Sequence, residues 1–328
     1  MALAKSENIQ TSDRFHLAPC PPFLKLLALA LTMAIALLGL AQVTFADQSD
    51  SFPKILKVGF SAGVFPDVDQ RDVQVAMQLW TKELARGMGI KADPQTVIYN
   101  RTEDLLAAVK KGELIVVSLP ALEFLKIRRT APLSPALVSL SNTGKMRQFI
   151  LVTHRDSGFT SLRDLRNRSI LIAARRKYSA GQIWLDVLLL QDGKKNPATF
   201  FGQMKESASA SQAIMSVFFK KTDAAIVTRG TLETSAAMNP QLGRQLMVIA
   251  ESRSFLGDIT CIPDNVSERL KRSIENAAMH LHENTVGKQM FTLFQMDRAI
   301  LFQPSYLEGL EELLKERDRL LAKKVNKG

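Results

Sequence analysis

The chain has 328 residues, of which 46% are hydrophobic and 23% charged, and this is the composition of an ordinary globular protein. The formal net charge is +11, but the cations are scattered and only 7% of the residues are aromatic. These numbers argue against nucleic acid as a partner and favour a small anionic ligand, or simply a basic surface.

The first 46 residues predict an export signal. Lys5, Arg14 and Lys25 precede an uncharged run at 26–46 that is rich in Leu and Ala and ends in Thr-Phe-Ala. Small residues at that end are typical of a signal-peptidase site, so we expect residues 1–46 to be cleaved and the rest to be periplasmic. The alternative is an uncleaved N-terminal membrane anchor, because 21 uncharged residues could just span a bilayer.

The first part of the remaining chain alternates apolar runs with amphipathic stretches, which predicts an α/β protein. Val73, Met77, Trp80 and Leu84 recur at helical spacing. In chain order, the patterns predict a strand at 54–60, a helix at 69–86, a strand at 96–99, a helix at 102–111, a strand at 114–119 and a short helix opened by Pro120.

Two strand-like runs and a second α/β series follow. The runs cover 136–141 and 148–154, separated by a polar segment. The later predictions are a helix at 161–165, a strand at 169–174, a helix at 179–191, a strand at 198–204, a helix at 209–219 and strands at 224–228 and 246–251. After Pro263 the chain is expected to be helical to its end, with a charged last helix at 305–324.

Catalytic motifs are missing from the sequence. It contains neither a G-x-S-x-G elbow nor a G-x-x-x-x-G-K-[ST] loop. Cys261 lies in an apolar context and is expected to be structural, His154 has no partner nearby in sequence, and His280 and His282 point to different sides of a predicted helix. We therefore expect no enzymatic activity, no cofactor and no metal site.

Binding is better supported, because four predicted strands end in small or hydroxyl residues. In open α/β sheets, ligands lie beyond these strand ends, where helix N-termini attract anions. Such residues are also ordinary helix caps, so each position is informative only together with the others. The four segments are Phe60–Gly63, Ser118–Pro120, Tyr178–Gly181 and Thr228–Thr231.

Three cations precede the third of these segments. Arg175, Arg176 and Lys177 oppose the dipole of the following helix, unless an anion lies between them or they extend into solvent. In the first case an Arg could bind an oxyanion through two hydrogen bonds. Tyr178 could line a ligand-binding cleft or lie on the protein surface. Arg229 could face a bound anion or form an ion pair with Glu233.

Four stretches carry a family resemblance: KVGFSAG, TEDLLAAVKKGELIVVSLPALEFLK, SLRDLRNRSILIAARRKYSAGQIW and DAAIVTRGTLE. They resemble the periplasmic phosphonate-, phosphate- and phosphite-binding proteins of ABC transporters. The resemblance implies the type II periplasmic binding protein fold, with two α/β lobes that close over a ligand and deliver it to a permease. It also implies an oxyanion site at the Ser/Thr-rich helix start, which here is Tyr178-Ser179-Ala180-Gly181.

Pattern and resemblance together predict two lobes, each with a mostly parallel sheet flanked by helices. Lobe 1 is expected to comprise 47–142 plus 256–328, with the C-terminal helices packed back on it, and lobe 2 to comprise 143–255. Two hinge crossings would join them.

The predicted ligand-binding residues lie at these strand ends and at the cation cluster. They are Ser61, Ser118, Arg175, Arg176, Tyr178, Ser179, Ala180, Gly181, Thr228 and Arg229.

The predicted function is that of a monomeric solute-binding protein for a small oxyanion: phosphate, phosphite, a phosphonate or a phosphorylated compound. Its partner would be an ABC permease of the inner membrane. Two alternatives stay open at this point: a ligand sensor that signals to a separate membrane kinase or cyclase, and an exported enzyme. A neighbouring permease and ATPase gene, as opposed to a histidine kinase gene, would separate transport from sensing.

Overall fold

The computed structural model describes residues 53–65, 70–140, 146–172, 180–193, 197–293 and 296–325. Eleven strands lie in this part of the chain. They are β1 (Ile55–Ser61), β2 (Asp93–Tyr99), β3 (Val116–Pro120), β4 (Leu133–Leu140), β5 (Met146–His154), β6 (Ser169–Ile172), β7 (Gln203–Glu206), β8 (Ala224–Thr228), β9 (Leu246–Leu256), β10 (Asp258–Pro263) and β11 (Arg298–Leu301).

The described α-helices are α1 (Gln70–Gly87), α2 (Thr102–Lys110), α3 (Ala121–Ile127), α4 (Ala180–Gln191), α5 (Pro197–Phe200), α6 (Ala210–Phe218), α7 (Arg229–Met238), α8 (Pro240–Gln245), α9 (Glu268–His280), α10 (Thr285–Leu293) and α11 (Glu308–Val325). Among these helices, none combines the length and the apolar character needed to cross a membrane.

The strands form two sheets flanked by helices, as expected for the two lobes of the type II periplasmic binding protein fold. The first sheet has the order β11-β4-β10-β3-β1-β2, and the second has the order β7-β6-β8-β5-β9. Every strand of the second sheet lies between the fourth and the tenth strand in the chain, both of which belong to the first. The second sheet is therefore an insertion into the first.

Both sheets are mixed, whereas the sequence predicted mostly parallel ones. β1 runs parallel to β2 and β3, and β6 runs parallel to β7 and β8. The pairs that involve β4, β5, β9 or β10 are antiparallel. The physical reason is that β4 and β5 carry the chain from the first sheet to the second, whereas β9 and β10 carry it back, so β4 and β10, and likewise β5 and β9, run in opposite directions where they pair.

Two short elements differ from the prediction. The strand expected at 198–204 is a single helical turn, α5, followed by β7, and the chain after Pro263 contains the strand β11 as well as helices. β11 has four residues and pairs with β4 across more than 150 residues of chain. Such a short segment has too few residues for a local alternation pattern, and its strand conformation depends on the distant partner.

Amphipathic patterning explains why α1 forms where the sequence predicts it. Val73, Met77 and Leu84 are buried in the core of the first sheet, and Thr81 donates a hydrogen bond to the backbone oxygen of Met77. Trp80 packs edge-on against Phe60 of β1, with ring centroids 5.8 Å apart. One apolar face thus anchors this helix on the sheet.

The last helix does not pack where the sequence led us to expect. α9 and α10 contact α1 on the first sheet, but α11 packs against α4 and β9 of the second. The reason lies in α4, whose residues are apolar on nearly every side, so that Trp184, Leu185 and Leu189 are all buried. A helix of this kind needs a cover on its outer side as well as a sheet beneath it, and α11 supplies that cover.

Candidate ligand-binding site

Part of the predicted site lies outside the described residues. Arg175, Arg176, Tyr178 and Ser179 fall within the undescribed segment 173–179, and the description resumes at Ala180. The site is therefore built from the strand ends and helix starts that surround this segment.

On the second sheet, Phe149 of β5 lies beside the first described turn of one helix and the cap residue of another. Phe149 is the cross-strand partner of Thr228, which caps α7. Its ring also lies against Gly181 in the first turn of α4, where a Cβ atom on residue 181 would come within 2.8 Å of the ring. The Phe149 ring thus lies against the first described turn of α4, and its backbone pairs with the residue that caps α7. Helix N-termini are places that attract anions. Ala180 is the first residue of α4 and is partly buried.

Arg229 lies at the start of α7 and is fixed in place by two partners. Its Nε donates to Oε1 of Gln148 at 2.7 Å, and its Nη2 is paired with the carboxylate of Glu251. The expected alternative of pairing with Glu233 is thus replaced by contacts to β5 and β9. A guanidinium has five N–H donors and these two bonds use two of them, so a fixed Arg229 can still donate to an oxyanion.

Thr228 acts as a helix cap. Its Oγ1 accepts the backbone N–H of Thr231 at 3.3 Å and shares a hydrogen bond of 2.7 Å with the Thr231 hydroxyl. This is the ordinary role of a threonine at an N-cap. The cap orients α7 so that Arg229, the next residue, follows the end of β8 directly.

On the first sheet, one carboxylate joins residues that lie at or just after the ends of three strands. The hydroxyl of Ser61 at the end of β1 donates to Oε2 of Glu123 at 3.0 Å, and the hydroxyl of Thr102 donates to the same oxygen at 3.3 Å. Ser61 Oγ also accepts the backbone N–H of Gly63 at 3.3 Å. The ends of β1, β2 and β3 lie side by side in the sheet, so Glu123 in the first turn of α3 is within reach of both hydroxyls.

Ser118 is buried on β3 and pairs with a hydroxyl on the neighbouring strand. Its Oγ and Oγ1 of Thr260 on β10 are 2.8 Å apart, in directly opposed positions of an antiparallel pair. Ser118 and Thr260 thus stabilise the junction of β3 and β10 beneath the site.

A second carboxylate lies close by. Asp258 opens β10, pairs in register with Pro120, and has a side chain that is 16% exposed. Burial raises the pKa of Asp258, the guanidinium of Arg147 lowers it, and the charge of Glu123 raises it again. The first-sheet side of the site thus carries the carboxylate of Glu123 and the Arg147–Asp258 pair, and the second-sheet side carries the Arg229–Glu251 pair.

Metal-ligating side chains do not cluster in the described part of the chain. No group of three His, Cys, Asp or Glu residues there is placed to hold a metal ion. Cys261 is buried, and desolvation raises the pKa of its thiol far above the ordinary value. Buried His154 caps a short helix, because its Nδ1 accepts the backbone N–H of Asp156.

Residues 62–307 match the family described as ABC transporter, phosphonate, periplasmic substrate-binding protein. The chain belongs to this family. Phosphonate-binding proteins are solute-binding components of ABC transporters and not enzymes, and they act in the periplasm.

Solved structures agree with this assignment at the level of the fold. A binding protein of an ABC phosphonate transporter from Pseudomonas aeruginosa is similar over 82% of this chain and 88% of its own, with 14% identity and a TM-score of 0.61. PhnD1 from Prochlorococcus marinus, solved with methylphosphonate, is similar over 81% of this chain and 99% of its own, with 18% identity and a TM-score of 0.60. A Xanthomonas citri protein bound to ATP is similar over 82% of this chain and 99% of its own, with 12% identity and a TM-score of 0.61.

A search of curated protein sequences gives no significant match. At these low identities the solved structures establish the type II periplasmic binding protein fold and leave the ligand to be argued from the site itself.

Sequence reasoning missed two of the residues on which the site is built. Glu123 could have been found from its position in the first turn of a helix that follows a buried strand. Phe149 carried no local signal, because its role depends on Gly181 and Thr228, which are distant in the sequence.

Proposed function

We propose that this phosphonate-binding protein captures a small oxyanion, namely phosphate, phosphite, a phosphonate or a phosphorylated compound, for an ABC permease of the inner membrane. The observation that carries the proposal is Arg229, held at the start of α7 with guanidinium N–H groups left to donate, within a chain of this family. Its neighbour Thr228 pairs with Phe149, whose ring lies against the first described turn of α4. Preorganised N–H donors beside a fixed guanidinium suit a phosphoryl or phosphonyl group.

The remaining predictions complete this proposal. Residues 1–46 direct export and are cleaved, the receptor is a monomer, and Arg175, Arg176, Tyr178 and Ser179 supply further contacts to the anion. The lobes comprise 47–142 plus 256–328 and 143–255. The strand ranges of the two sheets support this division, and the packing of α11 on α4 is the exception to it.

Binding requires no covalent step. The ligand would bind the second-sheet donors, and closure of the lobes would bring the first-sheet edge against it. A ligand that prefers the closed form shifts the population towards it.

The experiment is a thermal-shift screen followed by calorimetry with methylphosphonate, phosphite, phosphate, sulfate and ATP. A compound at 100 times its Kd should stabilise the folded protein by about 2.7 kcal/mol. For each compound that binds, we expect Arg229→Gln to weaken binding by about tenfold or more, because a charged donor is lost.

Arg163→Gln is the matched control. Arg163 also pairs with a carboxylate, at 2.7 Å, but its partner Asp192 follows the C-terminal end of α4, the end opposite the proposed site. Unchanged affinity in Arg229→Gln would refute the site, and a panel without any binder would refute the oxyanion ligand.

A further inference from the structure

The chain passes from the second sheet to the first through a single residue. β9 remains paired with β5 up to Leu256, which lies opposite Met146, and β10 is paired with β3 from Asp258 onward. Gly257 alone separates these two ladders. Any rotation of one sheet relative to the other at this crossing must therefore change the backbone angles at or next to Gly257.

Gly257 is contacted on two sides. Its carbonyl oxygen accepts the backbone N–H of Ala121, the first residue of α3, at 2.9 Å. On the other side the side chain of Arg147 lies directly against its Cα, so that a Cβ atom at this position would overlap Nε, Cζ and Cδ of the arginine. A Cβ atom at residue 257 would therefore have to displace the arginine side chain.

The same arginine reaches across the crossing to the other sheet. Arg147 belongs to β5, and its Nη2 donates to Oδ2 of Asp258 on β10 at 2.5 Å. The Asp258 side chain is 16% exposed and that of Arg147 is 42% exposed. An ion pair in which one partner is largely desolvated is costly to break, because the remaining carboxylate would stay buried without its counter-charge.

We infer that Arg147 is a positioning residue that restrains the rotation of the two lobes at Gly257, through its contact with this glycine and its ion pair with Asp258. A rotation at residue 257 moves Asp258 relative to β5 and also moves the Gly257 backbone against the guanidinium. Both contacts must therefore change together. The inference rests on the proposed function, in which the lobes move on ligand binding.

The test measures the distance between the lobes without any ligand. Spin labels are attached at Lys110→Cys on α2 and Arg244→Cys on α8, both exposed, in a Cys20→Ser background with Cys261 left buried. Pulsed dipolar spectroscopy then gives the interlobe distance distribution. In Arg147→Gln we expect this distribution to be broader by roughly 1.5-fold or more, because the restraint on the pivot is lost.

Arg163→Gln is again the matched control, because its partner Asp192 has 17% side-chain exposure but both residues belong to the second-sheet part of the chain. Its distribution should equal that of the wild type. Arg147→Lys keeps the charge and should restore most of the narrow distribution. Equal widths in Arg147→Gln and wild type, or equal broadening in Arg163→Gln, would overturn the inference.

Gly257→Ala provides a second route to the same answer. The added methyl group displaces the guanidinium without removing a charge, so this variant should broaden the distribution by itself. Adding Arg147→Gln to it should then change little, whereas additive broadening would contradict a shared mechanism.

These distances do not depend on an identified ligand. Broadening in Arg147→Gln together with a binding panel that gives no binder would refute the oxyanion function and support the pivot restraint. Oxyanion binding together with an unchanged distance distribution in Arg147→Gln would support the oxyanion function and refute the restraint by Arg147.

Discussion

Hydrogen-bond direction at Glu123 limits what the first-sheet edge can offer a ligand. Ser61 and Thr102 each direct their single hydroxyl proton to this carboxylate, and Ser61 Oγ also accepts the N–H of Gly63. In this arrangement the two hydroxyls have lone pairs, and no protons, left to offer a ligand. An oxyanion that approaches this edge therefore meets hydrogen-bond acceptors and a like charge.

Glu123→Gln tests the effect of that charge. We expect it to tighten methylphosphonate binding by roughly threefold to tenfold, because a like charge is removed while the Gln carbonyl oxygen still accepts the two hydroxyl protons. The measurement is calorimetry on the variant and the wild type at the same pH.

Glu113→Gln is the control for Glu123→Gln, since Glu113 precedes β3 and Glu123 follows it, so the same charge is removed at the opposite end of one strand. Its Kd should equal that of the wild type. Weaker binding in Glu123→Gln would mean that the carboxylate assists binding and would contradict the like-charge argument.

At the scale of single elements, the N-terminus of α4 is placed by one aromatic ring. Replacing a helical glycine with alanine ordinarily stabilises a protein by about 0.5–1 kcal/mol. At Gly181 the added methyl group would overlap the ring of Phe149. We expect Gly181→Ala to destabilise the protein by about 1–3 kcal/mol and to weaken oxyanion binding, because the helix start must move.

Gly243→Ala serves as the comparison for Gly181→Ala in chemical denaturation and calorimetry. Gly243 lies in α8, where a Cβ would make an ordinary contact of 3.5 Å with Ala236. This variant should be neutral or slightly stabilising, with unchanged binding. Equal stabilities of the two variants would contradict the proposed packing at Phe149.

The elements also differ in how far the sequence could predict them. Helix α1 carries a strong apolar period of its own, and its predicted bounds of 69–86 differ by one residue from those observed. Only 246–251 was predicted as a strand, yet β9 continues to Leu256, because pairing with β5 satisfies its backbone along polar residues such as Ser252 and Ser254. Long-range pairing of this kind leaves no local pattern.

The residues of the site also differ in how far the sequence could predict them. Ser61, Thr228 and Gly181 could be located from the sequence, because each lies at the end of a predicted strand or in the first turn of a predicted helix. Their partners Glu123 and Phe149 could not, because these contacts arise only when separate strand ends meet at one sheet edge.

For the whole molecule, the cover that α11 provides over α4 joins the C-terminus to the second sheet. Leu310 is buried in the core cluster that also holds Leu185 and Leu189. We expect Leu310→Ala to lower the free energy of unfolding by about 2–5 kcal/mol, through lost burial and the cavity left behind. Urea denaturation measures this change.

Leu321→Ala is the control on the same helix, because Leu321 is 44% exposed. It should lower the free energy of unfolding by less than about 1 kcal/mol. A similarly small effect in Leu310→Ala would mean that α11 contributes little to the stability of the second sheet.

The insertion of one sheet into the other also sets an order of folding. The strands of the second sheet all lie within a continuous stretch of chain, whereas Ser118 on β3 meets its partner Thr260 only after 142 further residues. During synthesis from the N-terminus, the edge of β3 that pairs with β10 therefore stays unpaired until β10 has been made. The second sheet can assemble during that interval, and the unpaired edge of β3 is then a site at which a nascent chain can aggregate.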